Sequence, residues 1–543
     1  MAEEVTQKRS SVLRSASVVS VMTAISRVLG LAREIAMGYL FGTSALKSAF
    51  DMAFVVPNLF RRLFGEGALS SAFVPVFSET LTREGRAKAW RFASNILVGL
   101  TLTLSMVTAA GILLTFPLAQ ILPEGSRWLL PLPMLRIMLP YAVLICVAAT
   151  VSGILNSLGV FAVTSLTPFL LNAIWILVLG IFILFPGLCT VKEDQMMILS
   201  AGILFAGLAQ ILFQLPSLKA RGFHFFCGVR SLWQDPNVKK VLKLMGPAAF
   251  GMGLIQINVC IDKFLAFWAD GSAPAALEYA ERLTYLPLGM FGTAFMTVLL
   301  PTFSRQATER AYGEMSLTLE RAVRQLGILM TPCSLGLLVL APAVIQAIYT
   351  FKGGHFDASS ITLSARALAA YAPGLLVFSL NKVMTPAFYG LQDMKTPVRV
   401  SLWCLLLNIT LNISSIILLP VGWKHCGIAG STVVTSLVNS LCLFLLLRGK
   451  IPPPRVREMF PSLLRSLSAA AAMAGVCLLV QALCIRGAGA AMGRKPVQLA
   501  VLGVTVLSGM LVYGGIMLLI SRGELVEMAR DLLNRKKRGS HGK

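Results

Sequence analysis

Apolar runs of membrane-crossing length follow one another along nearly the whole chain, separated by short polar gaps. A crossing helix needs about 20 mainly apolar residues. The pattern predicts helices near 12–40, 46–78, 90–120, 131–157, 161–186, 196–218, 239–268, 274–303, 317–350, 360–391, 397–420, 426–447, 461–484 and 496–520. The fold class expected is therefore an all-α polytopic membrane protein with about 14 transmembrane helices. Two of these helices look too long for one crossing and should extend into water. The gaps leave no room for a large soluble domain. The N-terminal segment MAEEVTQKRSSVLR has basic flanks, and no small-residue cleavage site follows, so the first run reads as a retained helix.

One stretch breaks the apolar pattern. Ser26 to Glu79 is apolar enough for two helices yet carries Arg27, Arg33, Glu34, Asp51, Arg61, Arg62 and Glu66. An ionisable group at mid-helix in a bilayer costs at least ~2.5–3.5 kcal/mol, so such groups face a wet cavity or each other. The stretch is expected to line a hydrated, cationic cavity. Arg27 and Arg33 are six residues apart, about 240° around a helix, whereas Arg27 and Glu34 nearly share a stripe. An Arg27–Glu34 pair would leave Arg33 to turn toward a ligand. Pro57 should bend the second helix. Arg62 and Glu66 are i,i+4 neighbours that can pair, leaving Arg61 to point elsewhere. Farther on, Glu278, Glu281 and Arg282 bring charge into another run. Asp262, Asn381, Thr385 and Ser401 offer hard oxygens to a cation. Blander readings stand beside these. Arg61 and Arg62 can be positive-inside residues, Arg27 an interfacial anchor, and Asp262–Lys263 a surface contact. Arg136 and Arg366 read as snorkelling anchors.

Composition agrees with the membrane reading. Hydrophobic residues make up 56% and charged residues 13%, against about 25% charged in soluble domains. A net charge of +24 would suit nucleic acid, but the basic residues lie mainly in short gaps of one parity. That distribution predicts an even number of spans with both termini cytoplasmic, and no nucleic-acid partner. Arg486, Arg494 and Lys495 are exceptions. The ten cysteines form no CxxC pair and the four histidines are scattered, so neither a disulfide framework nor a metal site is indicated. No HExxH, Walker A or Ser-His-Asp arrangement suggests an enzyme.

There is an internal repeat. Val74-Pro75-Val76-Phe77-Ser78 recurs 226 residues later as Leu300-Pro301-Thr302-Phe303-Ser304. Pro140 is echoed by Pro373 and Thr167-Pro168 by Thr396-Pro397, at offsets of 233 and 229. Six spans per unit return the chain to its starting side, so the repeats should be parallel. The organisation expected is an N-lobe at 1–220, a C-lobe at 221–450 around a shared cleft, and two extra helices with a basic cytoplasmic tail at 451–543.

The motifs SRVLGLARE and PNLFRRLFGEGALSSAFVPVFSE closely resemble the signature of the MurJ (MviN) family, the lipid II flippases of the MOP exporter superfamily. The match is dense over some 54 residues. It implies fourteen helices, as two pseudo-symmetric six-helix lobes plus two C-terminal helices that groove the substrate's polyprenyl tail. It implies a transporter, not an enzyme, that moves lipid II, the undecaprenyl-pyrophosphate-linked peptidoglycan precursor, across the bacterial cytoplasmic membrane by alternating access. Arg27, Arg33, Arg61 and Arg282 match the family's cavity arginines and by resemblance bind the pyrophosphate. Glu34, Asp51, Arg62, Glu66 and Glu281 would support them. Arginine suits that task because its planar, permanent cation binds phosphate oxygens in pairs. The chain departs from the family at Ser48, where an acid is common, and at Val55, where a lysine is common. Asp51 and Lys382 are the candidate substitutes. No cofactor is implied. Sodium or proton coupling, or the membrane potential alone, would supply energy, and membrane lipids and cell-wall synthesis proteins are the remaining partners. The alternative is a cation-coupled exporter of a drug or another lipid-linked glycan.

Overall fold

The computed structural model describes residues 22, 25–65, 68–226 and 235–526. Glu66 and Gly67 lie outside them, as do the first basic residues, Arg230 and the C-terminal tail. The regular elements are helices, with no strand among the described residues. The chain divides into two compact units, Met1–Ala275 and Ala276–Lys543.

The first unit holds α1 (25–41), α2 (Ala45–Phe60), α3 (Ala68–Arg83), α4 (Arg86–Ile121), α5 (Pro131–Met138), α6 (Tyr141–Ser157), α7 (Phe161–Leu184), α8 (Lys192–Ala220) and α9 (Pro236–Ala269). Then follow α10 (Ala273–Pro287), which opens the second unit, α11 (Thr293–Thr308), α12 (Tyr312–Tyr349), α13 (Ala358–Tyr371) and α14 (Gly374–Gly390). The series ends with α15 (Lys395–Leu418), α16 (Lys424–Leu447), α17 (Val456–Ala488) and α18 (Lys495–Ile520).

Among the described residues nine helices are long and apolar enough to cross a membrane, and eleven if each bent pair is one span. The predicted spans outside that number are 12–40, 46–78 and 239–268. The first two contain the charge-bearing stretch, and the third contains Asp262 and Lys263.

The sequence repeat has structural counterparts. The span predicted at 131–157 is two helices, α5 and α6, bent by 42° at Pro140. The span predicted at 360–391 is α13 and α14, bent by 43° at Pro373. Proline removes a ladder hydrogen bond and crowds the preceding turn, which accounts for both breaks. The helix predicted at 46–78 loses its regular pitch after α2, in a π-helical segment at Arg61–Gly65. The helix predicted at 274–303 does the same between α10 and α11, at Leu288–Gly292.

Lipid tails are as apolar as leucine, so close packing and interhelical hydrogen bonds, rather than transfer from water, hold such helices together. In the first unit Phe50 and Phe54 meet Trp175 edge-on at 5.4 and 5.3 Å. Gln210 Nε2 donates to the Thr167 carbonyl at 2.7 Å and Gln214 Nε2 to the Ala148 carbonyl at 3.2 Å, tying α8 to α7 and α6. In the second unit α17 and α18 pack against α12. There the Tyr513 hydroxyl donates to the Ile328 carbonyl at 2.7 Å. Leu113, Leu114, Leu418 and Leu519 are exposed, as a surface solvated by lipid requires.

Candidate functional site

The charge-bearing stretch folds back on itself. Gly42, at φ 55°, turns the chain between α1 and α2, a conformation glycine adopts without a Cβ penalty. Ser44 caps α2 by accepting from the Lys47 backbone N–H. Glu34 lies about 10 Å along α1 from the turn, at 1.5 Å per residue. Lys47 and Asp51 are one helical turn apart on α2. The hairpin therefore brings Glu34 opposite that pair.

A four-residue network results. Arg33 donates to Glu34 Oε1 through Nη2 at 2.6 Å and Nε at 3.2 Å. Lys47 Nζ donates to both Asp51 oxygens, at 2.6 and 2.7 Å, and stands 3.7 Å from Glu34 Oε2. All four side chains are mostly or wholly buried. Their formal charges cancel, and this mutual pairing is what makes their burial tolerable.

Helix α7 fixes the Arg33 guanidinium from another direction. Its Nη1 donates to Asn172 Oδ1 at 3.2 Å, and its carbon lies 4.1 Å from the centre of the Trp175 ring. Asn172 in turn donates from Nδ2 to the backbone and hydroxyl oxygens of Ser26, both at 3.3 Å. The Trp175 Nε1–H is buried without a hydrogen-bond partner among the described residues. This gives a guanidinium with a fixed plane beside an unused donor, an arrangement able to receive phosphate oxygens.

The other sequence-predicted residues are placed as follows. Arg27 is exposed, and Arg33 is the arginine that closes on Glu34. Arg61 donates to Asn58 Oδ1 at 2.9 Å, and Arg62 to Gln256 Oε1 of α9 at 3.1 Å. Both stand on the π-helical segment, and such segments recur at functional positions. The expected Arg62–Glu66 pair falls outside the described residues. Glu281 and Arg282 are half-buried on α10, where Arg282 Nη2 is 3.8 Å from Glu278 Oε1. Asp262 is half-buried on α9. Asn381 on α14 donates to the Ser436 carbonyl at 3.3 Å and accepts from the Ser440 hydroxyl at 3.0 Å. Thr385 and Ser401 are half-buried on α14 and α15. No group of three His, Cys, Asp or Glu able to hold a metal occurs among the described residues. Lys382 packs its Cγ 3.5 Å from where a Cβ on Gly292 would stand, beside the second π-helical segment.

Sequence reasoning missed Lys47, Asn172 and Trp175. The i,i+4 spacing of Lys47 and Asp51 was a usable signal. So was Asn172, a lone amide inside the apolar run TPFLLNAIWIL.

A family model described as "Lipid II flippase MurJ" matches residues 37–490. A probable lipid II flippase MurJ of Vibrio cholerae is 36% identical over 450 residues, 80% of this chain and 82% of that protein. One from Bdellovibrio bacteriovorus is 31% identical over 535 residues, 97% of this chain and 98% of that protein. A solved lipid II flippase MurJ in an inward closed conformation superposes with a TM-score of 0.74 at 22% identity. It covers 93% of this chain and 99% of that one. An inward-facing multidrug-resistance MATE transporter of the MOP superfamily superposes with a TM-score of 0.65 at 16% identity, over 80% of this chain and 98% of that one.

Proposed function

Because the chain belongs to the lipid II flippase MurJ family, we propose that it carries lipid II from the inner to the outer leaflet of the bacterial cytoplasmic membrane. The observation that carries the reading is Arg33, a buried guanidinium inside an apolar helix, held by Glu34, Asn172 and the Trp175 face. An ionisable group inside a membrane helix is by default a functional-site hypothesis, and a guanidinium suits the pyrophosphate of a polyprenyl-linked precursor. Arg27, Arg61 and Arg282 complete the proposed head-group site, and the polyprenyl tail stays in lipid. Alternating exposure of that site to the two membrane faces accomplishes transfer, with both chain termini cytoplasmic. The cycle runs on the membrane potential, or on a sodium or proton gradient received at Asp262, Asn381, Thr385 and Ser401.

The test uses cells whose own flippase is depleted and replaced by this chain. A lipid II-cleaving enzyme is added outside the cytoplasmic membrane, and the lipid II it reaches is quantified. Restored accessibility, lost in Arg33→Ala or Arg282→Ala at equal membrane levels, is the expected result. No restoration from a well-inserted parent chain overturns the reading. It then favours the rival, an exporter of a drug or another lipid-linked glycan, which the shared MATE fold accommodates.

A further inference from the structure

We propose that Lys47 is a positioning residue for the head-group site: it takes over Glu34 when Arg33 leaves that carboxylate for an anionic ligand. This rests on the function proposed above and adds to it a residue and a step.

Lys47 is in a costly place. Its side chain is 1% exposed, and it sits in the first turn of α2, where the helix dipole disfavours a cation. An ammonium there needs strong compensation, and it is shared unequally between two carboxylates. Two short bonds go to Asp51, at 2.6 and 2.7 Å, while Glu34 Oε2 stands at 3.7 Å. Lys47 Nζ already stands within ion-pair distance of Glu34 Oε2 while bonded to both Asp51 oxygens, so it can draw closer to Glu34 without releasing Asp51. Glu34 needs to move by only about 1 Å to reach the ordinary N–H···O range.

Arg33 is built to stay behind. Its Nη1 and its guanidinium face are held by Asn172 and the Trp175 ring, independently of Glu34. Withdrawal of Glu34 frees the Nε–Nη2 edge, which presents two parallel donors to phosphate oxygens. Without a receiving cation, the displaced carboxylate would be buried unpaired, beside a ligand of its own sign, and breaking a buried pair in that way is strongly unfavourable. Lys47 closes the exchange: one Arg–carboxylate pair becomes an Arg–phosphate pair and a Lys–carboxylate pair.

The experiment uses the complementation assay with full-length variants at matched membrane levels. Lys47→Met/Asp51→Asn removes the pair together, leaving no orphaned Asp51 carboxylate. Lipid II accessibility is expected to fall at least tenfold in this variant. Adding Glu34→Gln leaves no displaced charge to receive and is expected to bring accessibility back to within about threefold of the parent. Lys47→Arg alone, which keeps a cation in reach, is expected to retain most activity. Parent-level transport in the double variant would overturn the proposal. So would a triple variant as poor as the double, because a merely structural Lys47 is not rescued by removing Glu34. Failure of the parent chain itself would instead strike the lipid II reading.

Discussion

Arg33 and Arg136 are both arginines within membrane helices, yet their surroundings assign them different work. Arg136 folds onto the end of α4, donating to the Thr115 hydroxyl at 2.7 Å and the Thr115 carbonyl at 3.1 Å, over the Phe116 ring at 4.1 Å. A lysine can keep one of those bonds and the ring contact. Arg136→Lys is therefore expected to transport within about twofold of the parent. Arg33→Lys keeps the charge but loses the paired donors and the flat face against Trp175, because the two cations are not interchangeable at a bidentate, stacked site. It is expected to lose at least tenfold in the lipid II accessibility assay, and near-parent activity would show that charge alone suffices. Asp393 supplies a pH prediction outside the spans. Burial would raise its pKa, but bonds from the Thr396 hydroxyl and backbone N–H, with the Lys450 ammonium at 3.0 Å, hold it down to about 2. A lowered carboxylate pKa stabilises the fold fully above the unfolded value near 4, and that stability is lost as pH falls toward 2. The loss is about 1–2 kcal/mol for a group in this partly wet position. Purified Asp393→Asn is expected to lack about half of that share of the parent's decline in unfolding temperature between pH 5 and pH 3, because the rest is lost only as pH passes through 2. An identical decline in both proteins would count against the assignment. Of the site, Arg33, Glu34 and Asp51 were legible because charge inside an apolar run stands out. Lys47 was not, because a lysine just past the Gly42-Thr43-Ser44 turn reads as interfacial until folding shows what closes over it.

Helix breaks were partly legible. The similarity of Leu300-Pro301-Thr302-Phe303-Ser304 on α11 to the α3 motif was readable, but the bends at Pro140 and Pro373 were not, because Pro117, Pro216 and Pro332 lie inside unbroken helices. The π-helical segments at Arg61–Gly65 and Leu288–Gly292 both end in Phe-Gly, 227 residues apart, but that dipeptide also suits a regular helix, so the loss of α-helical pitch shows only in the structure. Their spacing is within one residue of the 226 that separates the two copies of the sequence motif. Gly390 shows how tightly such a repeat is built. A Cβ there would stand 2.8 Å from Phe303 Cβ, 2.9 Å from the Phe303 carbonyl carbon and 3.0 Å from Ser304 N. Backbone cannot swing aside as a side chain can, so Gly390→Ala must push α14 off α11. The expected cost is about 1–3 kcal/mol, as for other overpacked interiors, read as a lower unfolding temperature of the purified protein. Gly292→Ala is the control. Its φ of −61° suits any residue, and its nearest neighbours are the Leu288 Cδ1 and Lys382 Cγ side-chain atoms at 3.0 and 3.5 Å. It should leave the unfolding temperature unchanged or slightly raised. Equal losses in both variants would mean that the α14–α11 approach is not the tight point described.

At the scale of the whole molecule the question is what drives transfer, and charge arithmetic gives a direct way to ask it. The chain carries an excess of 24 positive charges, which the sequence places mainly in gaps between the expected spans. The network of Arg33, Glu34, Lys47 and Asp51 sums to zero, so it does not itself cancel a bound pyrophosphate. A head group with two negative charges moving outward through a membrane that is negative inside gains up to roughly 4.6 kcal/mol per 100 mV, at ~2.3 per charge. That bound holds if the protein's own charges stay in place, and it is enough to drive accumulation by more than a thousandfold. A potential-driven cycle should therefore slow when a potassium-selective ionophore collapses the potential at matched potassium. It should continue when an electroneutral proton–potassium exchanger removes only the pH gradient, or when sodium is replaced by choline. The opposite pattern, with sodium required and the potential dispensable, would move the energy source to a cation site, and Asp262→Asn would then be the variant to lose transport. Both patterns can be read in the accessibility assay within minutes of adding the ionophore, before depletion of the precursor pool complicates the comparison.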